Sequence, residues 1–398
     1  MTETQRYRSL VASAASIPDP LPVRAFLDPA HVLLAAEASV FASKELSPRP
    51  VPDSDRAARE EARSILKLLG AGGWFESIGR QDWRSASLVR EALGASSPLA
   101  DAVFALQGLG TLPILFAGSP AIQEQWAKAA IAGRAMAAFA MTETEAGSDV
   151  AAMRTRAIRD GDGYVVNGAK CYISNAGIAD FYIVFASTDP EARGKGISCF
   201  LISADAAGLT FQGPQILSSP HPLGEISFQD CRVPASHRLG EEGRGFALGL
   251  KTLDRMRATV GAAACGMAAR ALVEALRHAL SRRQFGKPIA EFQLVQEKVA
   301  RMATDLEAAR LLVYRAAWVA DQGAERVTME AAMAKAFATE AAQRIIDEAV
   351  QILGASGVMA SHPVDRLYRS VRALRIYEGT TEIQHLVIAG QLFQSPLG

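Results

Sequence analysis

The chain has 398 residues, of which 49% are hydrophobic, and its 42 Lys and Arg residues balance its 42 Asp and Glu residues. This length is enough for two or three structural units with well-filled cores. A formal net charge of zero gives no electrostatic reason to expect nucleic acid or an anionic membrane as a partner. Because no apolar stretch approaches the roughly 20 residues that span a bilayer, we expect a cytoplasmic protein without a membrane partner.

The N-terminus reads MTETQRYRSLVASAAS, with two early arginines and several small residues. A transit peptide is an alternative, but Glu3 and the lack of a long apolar core argue against a targeting signal. We therefore expect residues 1–30 to be an N-terminal tail.

Residues 31–136 are predicted to form an N-terminal α-helical domain, because Ala and Leu are abundant there. The run DSDRAAREEARSILKLLG at 53–70 opens with Asp and Ser, continues with amphipathic period and stops at Gly70. These are typical start and stop signals of a helix.

The pattern changes in residues 137–243, which are predicted to form a middle domain of mostly antiparallel β-sheet. Short segments rich in β-branched and aromatic residues are bounded by Gly, Pro, Asp and Asn, as strands commonly are. The turn Gly161–Asp162–Gly163 is suited to a hairpin. The predicted strands cover residues 163–176, 180–188, 197–204 and 225–234.

Residues 244–398 are predicted to form a C-terminal four-helix bundle. Three long Ala-rich segments have helical period, Gly354 is suited to end the third, and a shorter fourth helix begins after Glu378. The expected fold class is therefore α+β, with helices before and after a central sheet or barrel.

Several common motifs are absent from the sequence. It has no dinucleotide-binding G-x-G-x-x-G between a strand and a helix, no P-loop, no G-x-S-x-G and no H-E-x-x-H. The segment GEEGRG at 240–245 is expected to be a turn. Four cysteines without CxxC spacing or paired histidines indicate reduced, mostly buried thiols, and we expect no metal site.

The strongest positive signal lies at residues 138–157, AFAMTETEAGSDVAAMRTRA, where helices give way to strands. Thr142 and Ser148 offer hydroxyls, and Gly147 lets backbone N–H groups approach a bound group closely. Such a loop binds the edge of a polar ring or a diphosphate. The alternative is an ordinary turn between domains.

Three segments, in this order, resemble the acyl-CoA dehydrogenase family. They are MTETEAGSDVAA at 141–152, SRRQFGKPIAEFQLVQEKVARMA at 281–303 and QILGASGVMASHPVDRLYRSVRALRIYEGTTEIQ at 351–384. The likeness covers roughly residues 55 to 398. It implies an FAD-dependent oxidoreductase that introduces an α,β double bond into an acyl-CoA thioester, with electron-transfer flavoprotein as the electron acceptor.

The resemblance also implies a set of FAD-binding residues. Thr142 would lie near the pyrimidine end of the flavin, while Tyr172 and Ser174 stand where the family usually has Trp and Thr. Arg282 belongs to a segment that reaches the FAD of a neighbouring subunit, which implies a homo-oligomer, most often a homotetramer; its alternative is a solvated helix end. The full set is Phe139, Met141, Thr142, Gly147, Ser148, Tyr172, Ser174, Arg282, Phe285, Gln293, Gln351, Gly354, Thr380 and Glu382.

Glu378, in the run Y-E-G-T, matches the catalytic base of the family. A carboxylate kept out of bulk water has a raised pKa, which suits the removal of an α-proton. We expect Ile376 and Tyr377 to supply apolar walls, and Gly379 to leave room for the thioester carbonyl. Some relatives carry the base at the position of Met256, which cannot take a proton.

The neighbouring residues yield two further expectations. Thr381 and Gln384 have the spacing of a capping box, so a helix is expected to start there. The resemblance implies that Ser148, Asp254, Arg257 and Gly379 bind substrate, and the alternative for Asp254 and Arg257 is an i, i+3 ion pair.

The sequence also departs from the family. The run ILSSPHPLGEISFQDCRVP at 216–234 replaces a Gly-x-Arg-type run near the CoA entrance, and Ser370 stands where an acidic residue often follows the arginine. Rival functions are an oxidase, a desulfinase or an enzyme with a carrier-protein thioester. A DNA-binding flavoprotein of this scaffold is disfavoured, because the sequence shows no basic C-terminal region. Fatty, branched-chain, alicyclic and secondary-metabolite acyl groups are all alternatives for the acyl group of the substrate.

Overall fold

The computed structural model describes residues 17–394, which pack into two compact units. The helical unit comprises residues 17–50, 82–101 and 257–394, and the sheet unit comprises 51–81 and 102–256. Residues 82–101 therefore belong to the helical unit and residues 102–136 to the sheet unit.

Twelve α-helices lie within the described residues, the longest of them in the C-terminal half. In chain order they are α1 Pro29–Phe41, α2 Asp55–Ala71, α3 Glu76–Arg80, α4 Trp83–Ser96, α5 Pro98–Ala117, α6 Pro120–Ile122, α7 Lys128–Ile131, α8 Gly245–Ser281, α9 Gln293–Asp321, α10 Thr328–Leu353, α11 Pro363–Val371 and α12 Thr381–Gln394.

The four C-terminal helices that the sequence predicts are confirmed as α8, α9, α10 and α12. The short helix α11 between them was not predicted. Gly354 ends α10 with φ +59, a conformation that favours glycine. Close packing depends on small residues elsewhere too: a Cβ at Gly94 of α4 would lie 2.6 Å from the carbonyl oxygen of Ala263 of α8.

Helix α2 begins at Asp55, inside the run predicted from its amphipathic pattern. The Ser54 hydroxyl accepts a hydrogen bond from the N–H of Ala57 at 3.3 Å and so caps the helix. Its buried positions recur every three or four residues, as in an amphipathic helix. They are Ala58, Ala62, Ile65, Leu66 and Leu69.

The strands of the sheet unit confirm the predicted middle sheet. They are β1 Ala137–Ala140, β2 Arg156–Asp160, β3 Gly163–Ser174, β4 Phe181–Ser187, β5 Ile197–Ser203, β6 Leu209–Pro214, β7 Leu223–Pro234 and β8 Arg238–Leu239. The order is β6-β7-β3-β2-β4-β5-β8, with β1 on β4. Pairing is antiparallel except that β1 and β2 run parallel to β4.

The predicted hairpin turn at Gly161–Asp162 joins β2 to β3, with Asp160 paired to Gly163. The four predicted strands correspond to β3, β4, β5 and β7. The predicted turn implied β2, but β1, β6 and β8 were missed. AAFA carries no strand signal, LTFQGP contains Gly and Pro, and β8 has only two residues. In the helical unit, β9 Arg283–Gln284 and β10 Lys287–Pro288 form a small hairpin.

Part of the predicted N-terminal tail is ordered. Residues 1–16 lie outside the described residues, but Leu21–Phe26 form a 3₁₀ helix. Val23 is 0% exposed and Leu27 is 5% exposed, both in the core of the helical unit. Burial of these two apolar side chains explains the order, because each contributes about 1.5–3 kcal/mol.

Two helices correct the expectation that no segment is long and apolar enough for a bilayer. By length and composition α5 and α8 reach that threshold, and 83% and 78% of their most apolar windows is buried within the protein. Such burial is what core helices show, so the two segments are weak evidence for a span. The four cysteines are buried free thiols, as predicted.

Candidate functional site

The loop that follows β1 is attached to β3 by a buried ion pair. Lys170 Nζ lies 2.8 Å from Glu143 Oε1 and donates a hydrogen bond to the carbonyl oxygen of Met141 at 3.1 Å. The N–H of Cys171 donates to the carbonyl oxygen of Thr142 at 3.1 Å. The loop residues 141–143 and the end of β3 therefore lie side by side.

Lys170 and Glu143 stabilise each other's charged form. Burial lowers the pKa of Lys170 to about 8, and the carboxylate of Glu143 opposes that effect. Burial favours a raised pKa for Glu143, but Lys170 and hydrogen bonds from Thr155 and the Arg154 N–H outweigh it, so the net pKa of Glu143 is lowered. Sequence reasoning missed Lys170, although a lysine within a strand of alternating burial is an available signal.

Tyr172 and Ser174 lie on β3 next to this loop. The register between β3 and β7 shifts between Lys170 and Ile173, and Tyr172 has φ +56 with 60% of its surface exposed. An irregularity of this kind re-aims side chains away from the regular pleat. The Ser174 hydroxyl lies 2.7 Å from Nε2 of His221.

The other predicted residues of this loop differ in exposure. Gly147 and Ser148 are exposed, and a Cβ added at Gly147 would meet no atom within 4 Å. Phe139 packs against Phe185 with ring centroids 4.9 Å apart and the rings tilted by 56°. Met141 is 5% exposed and belongs to the core, so its side chain is not on the surface as a site residue. Its backbone carbonyl oxygen accepts the hydrogen bond from Lys170 that attaches the loop to β3.

A second group of predicted residues lies at the β9–β10 hairpin of the helical unit. Phe285 is 94% exposed with φ +50, and Arg282 and Gln293 are exposed beside it in sequence. A groove of about 310 Å³ joins Phe285 to Gln351 near the end of α10. Its lining comprises Gln284, Phe285, Ile289, Phe292, Val295, Lys298, Gln351 and Ile352.

Glu378 lies just before α12, on a backbone that three side chains hold. Its φ is +55 and that of Gly379 is +90. The carbonyl oxygen of Glu378 accepts from Arg257 Nε at 3.3 Å and from Gln384 Nε2 at 3.2 Å. The carbonyl oxygen of Gly379 accepts from Lys335 Nζ at 2.6 Å and from Gln384 Nε2 at 2.9 Å. We call Lys335, Arg257 and Gln384 the carbonyl clamp.

The carboxyl group of Glu378 is itself short of partners. Its Oε2 atom is buried and has no hydrogen-bond partner among the described residues. Burial raises the pKa of Glu378, while Arg90, Lys335 and Arg257 act in the opposite direction. Burial likewise lowers the pKa of Lys335 to about 8, which the charge of Glu378 opposes.

A buried ion pair accompanies the base. Arg90 Nε lies 2.7 Å from Asp101 Oδ1, and a second guanidinium nitrogen lies 2.9 Å from Oδ2. Arg90 also donates to the Thr259 hydroxyl at 2.9 Å. Arg90 is 0% exposed and Asp101 is 2% exposed. Sequence reasoning missed this pair, although an arginine in the apolar run SLVREALG was a signal.

One expectation about the surroundings of Glu378 stays a prediction and one is wrong. Ile376 is 53% exposed and Tyr377 is 38% exposed, but burial raises the pKa of the Tyr377 phenol, and Arg90 and Glu378 both act on it. The apolar walls around the base therefore remain a prediction. Thr380, not Thr381, caps α12, because its hydroxyl accepts from the N–H of Ile383 at 3.3 Å. Gln384 is used in the carbonyl clamp instead of a capping box.

The remaining predicted residues have simple placements. Glu382 is exposed in the first turn of α12. Asp254 is partly exposed on α8, and Met256 is 0% exposed. Thr381 donates from its hydroxyl to Glu340 Oε1 at 2.8 Å. Most candidate residues thus form three groups: the loop and β3 in the sheet unit, and the β9–β10 hairpin and the surroundings of Glu378 in the helical unit.

Two family models match the chain. The acyl-CoA dehydrogenase middle domain matches residues 138–231, and the acyl-CoA dehydrogenase C-terminal domain matches residues 243–393. A probable acyl-CoA dehydrogenase of Mycobacterium tuberculosis, FadE25, is 38% identical over 92% of this chain and 95% of its own length.

Solved structures agree with these matches. Butyryl-CoA dehydrogenase from Megasphaera elsdenii is 34% identical with a TM-score of 0.85, covering 92% of this chain and 99% of the other. An FAD complex of PigA is 30% identical with a TM-score of 0.85, covering 92% of this chain and 98% of the other.

Proposed function

Because the chain belongs to the acyl-CoA dehydrogenase family, we propose that Glu378 takes the α-proton of an acyl-CoA thioester while the β-hydrogen leaves to FAD, giving the trans-2-enoyl thioester. The enzyme is an oxidoreductase acting on CH–CH bonds of acyl-CoA. The observation that carries the role of Glu378 is its buried, unpartnered Oε2 on a backbone held by the carbonyl clamp.

FAD is the cofactor, and the residues present fit it. Thr142 and Ser174 carry hydroxyls, the Thr142 backbone bonds to the residue before the exposed Tyr172, and the space above Gly147 is open. When bound there, FAD supplies an acceptor for the β-hydrogen and its electron pair. We assign Thr142, Ser148, Tyr172 and Ser174 to holding it.

The geometry around Glu378 suits proton removal. An oxygen without a hydrogen-bond donor keeps its lone pairs for the substrate, and a raised pKa makes the carboxylate a stronger base near neutral pH. Arg90, Lys335 and Arg257 oppose that rise. The clamp fixes the carbonyls and leaves the carboxyl free to receive the proton at Oε2.

The exposed hairpin supports an oligomer. Phe285 is 94% exposed with positive φ, so its ring is available to contact another surface. We propose that Arg282, Phe285 and Gln293 complete the FAD site of a neighbouring subunit in a homo-oligomer, most simply a homotetramer. Arginine suits the diphosphate, because its planar fork donates two hydrogen bonds at once. Electron-transfer flavoprotein is the proposed electron acceptor.

An anaerobic titration of the holoenzyme tests this function. A panel of straight-chain, branched, alicyclic and aryl acyl-CoA thioesters is added while the flavin absorbance is followed. Acetyl-CoA, which has no β-carbon, is the matched control. Bleaching by one class and none by acetyl-CoA is expected. A flavin that no acyl-CoA bleaches contradicts the proposal and favours a different thioester carrier, and rapid reoxidation of the bleached flavin by oxygen favours an oxidase.

A further inference from the structure

The loop at residues 216–222, where the sequence departs from its family, is bound at both ends to the strand that carries Tyr172 and Ser174. Before the loop, Gln215 Oε1 accepts from the N–H of Tyr172 at 2.6 Å. At its end, His221 Nε2 lies 2.7 Å from the Ser174 hydroxyl, and the N–H of Asn175 donates to the carbonyl oxygen of Pro222 at 2.8 Å. The loop therefore presents His221 to Ser174 in a fixed position.

The same end of the loop is anchored from α2. Arg59 donates to the carbonyl oxygen of Leu223 at 2.9 Å, and it also donates to the carbonyl oxygen of Ala176. The guanidinium lies 4.9 Å from the ring centroid of Phe211 and pairs with Asp55 at 2.6 Å. These hydrogen bonds hold the backbone next to both His221 and Ser174. The imidazole therefore has little freedom to move away from the Ser174 hydroxyl.

The His221 ring is neutral at physiological pH. Burial lowers its pKa to about 4, the positive charge of Arg59 adds to that shift, and Asp55 opposes it. A neutral imidazole carries a single ring proton, so Nε2 is either a donor or an acceptor. The role of Nε2 decides whether the Ser174 hydroxyl donates or accepts a hydrogen bond on the side away from His221.

The two tautomers of His221 allow the Ser174 hydroxyl to act toward a ligand either as a donor or as an acceptor. If Nε2–H donates to Ser174 Oγ, the serine proton is free to donate outward. If Nε2 instead accepts the serine proton, Oγ offers a lone pair outward. Flavin N5 shows the same duality, because it is an acceptor in the oxidised ring and an N–H donor in the reduced ring.

We propose that His221 is a positioning residue that orients the Ser174 hydroxyl toward the flavin and changes tautomer with the flavin oxidation state. The inference rests on the proposed flavin site at Tyr172 and Ser174. In the oxidised enzyme Nε2–H donates to Oγ and the serine proton points outward. In the reduced enzyme the serine proton turns to Nε2 and Oγ faces outward as an acceptor.

The proton count balances without a change in charge on either residue. When dithionite reduces the flavin, it supplies two electrons, and water supplies the proton at N5. His221 loses its Nε2 proton to water and takes another from water at Nδ1. Ser174 keeps its own proton, which rotates from one partner to the other.

Magic-angle-spinning NMR of the sedimented holoenzyme, with ¹⁵N-labelled histidine, measures the tautomers directly before and after anaerobic dithionite reduction. The His221→Gln variant assigns the signal by its loss. We expect Nε2–H in the oxidised enzyme and Nδ1–H in the reduced enzyme. An unchanged His221 tautomer overturns the inference.

His31 is the internal control, because its Nδ1 accepts the N–H of Asp28 at 3.1 Å and so stays in the Nε2–H form. A second measurement uses the flavin reduction potential in His221→Phe, Ser174→Ala and the double variant. We expect each single variant to change the ratio of reduced to oxidised FAD affinity by about three- to tenfold, with no further change in the double variant. Additive changes overturn the coupling.

The flavin absorbance of the same samples separates the two claims. Bound, reducible FAD with a constant tautomer contradicts the role of His221 alone. A purified protein that takes up no FAD contradicts the proposed function, and the inference fails with it.

Discussion

Lys335 Nζ lies 2.6 Å from the carbonyl oxygen of Gly379, the residue that follows the proposed base Glu378. This contact holds a stretch of backbone that is unfavourable by itself, since a left-handed conformation in a non-glycine residue costs about 1–3 kcal/mol. Glu378 has φ +55, and Tyr172 and Phe285, two other predicted site residues, also have positive φ. Backbone strain therefore coincides with three positions that the sequence motifs single out.

The variant Lys335→Met tests the carbonyl clamp. It removes a hydrogen-bond donor from Gly379 and a positive charge that lowers the pKa of Glu378. The pKa of Glu378 then rises further, so the acid limb of the kcat/KM profile moves to higher pH, and kcat falls at least about tenfold. A pH-rate profile of the holoenzyme measures both.

Lys128→Met is the matched control, because Lys128 is exposed and pairs only across one helical turn with Glu124. It should leave the profile unchanged. If Lys335→Met lowers thermal stability but leaves the acid limb where it was, Lys335 is structural and not a positioning residue.

The variant Glu378→Gln should be more stable than the wild type at neutral pH. Burial raises the pKa of Glu378, so the folded state holds its proton more tightly than the unfolded state. The free energy of unfolding therefore falls as pH rises from the ordinary carboxyl pKa to the raised one, by about 1.4 kcal/mol for each pH unit between the two values. A neutral amide avoids that loss.

Thermal melts between pH 4 and 8 measure this effect. The advantage of Glu378→Gln should be largest near neutral pH and should vanish at the acid end. Glu60→Gln, at an exposed carboxylate paired with Arg56, is the control and should show no such pH dependence. A destabilised Glu378→Gln variant at neutral pH would show that the carboxylate is favourably solvated in the fold.

The variant Asp101→Asn should destabilise the protein strongly. It leaves the guanidinium of Arg90 buried without its carboxylate partner, which costs about 3–5 kcal/mol. The double variant Arg90→Leu/Asp101→Leu removes both charges and should recover most of that loss. Chemical denaturation measures the three free energies of unfolding, and a double variant as unstable as the single one would refute this description.

Asp101→Asn should also move the acid limb of the kcat/KM profile, in the direction opposite to Lys335→Met. Asp101 raises the pKa of Glu378, so its neutralisation lowers that pKa and shifts the limb to lower pH. The comparison of the two profiles is the check. Shifts of the same sign would contradict the assignment of the limb to Glu378.

The variant Lys170→Met should weaken FAD binding. Lys170 joins β3 to Glu143 and to the carbonyl of Met141, and its loss leaves Glu143 without its cationic partner. The loop that offers Thr142 then loses its fixed position. FAD titration of the apoprotein should show at least a tenfold weaker affinity, whereas Lys67→Met, at an exposed position of α2, should bind as the wild type does. Equal affinities would rule out this role for the ion pair.

The sequence predicts the fold well where a pattern is long and local. The four C-terminal helices and the strands β3, β4, β5 and β7 follow from periodicity and turn residues. Short elements such as β1 are stabilised by their neighbours in the sheet, so their own residues carry no signal. The cap of α12 was displaced by one residue, because Thr380 and Thr381 are equally suited to it in sequence.

The candidate site was likewise only partly predictable from the sequence. Glu378 is recognisable from its motif, but Lys335, Arg257 and Arg90 come from three distant helices, and only folding brings them to the base. The loop containing His221 was recognised as a departure, yet its hydrogen bond to Ser174 depends on the irregular pairing of β3 with β7. Such long-range contacts have no local pattern.

The most direct measurement of the central claim is an anaerobic stopped-flow comparison of wild type and Glu378→Gln, with the acyl-CoA that bleaches the wild-type flavin fastest. The account predicts that the variant binds FAD and the thioester but reduces the flavin at least about 10³-fold more slowly, because no other group takes the α-proton. Flavin reduction at a near-normal rate in Glu378→Gln would contradict the assignment of the base.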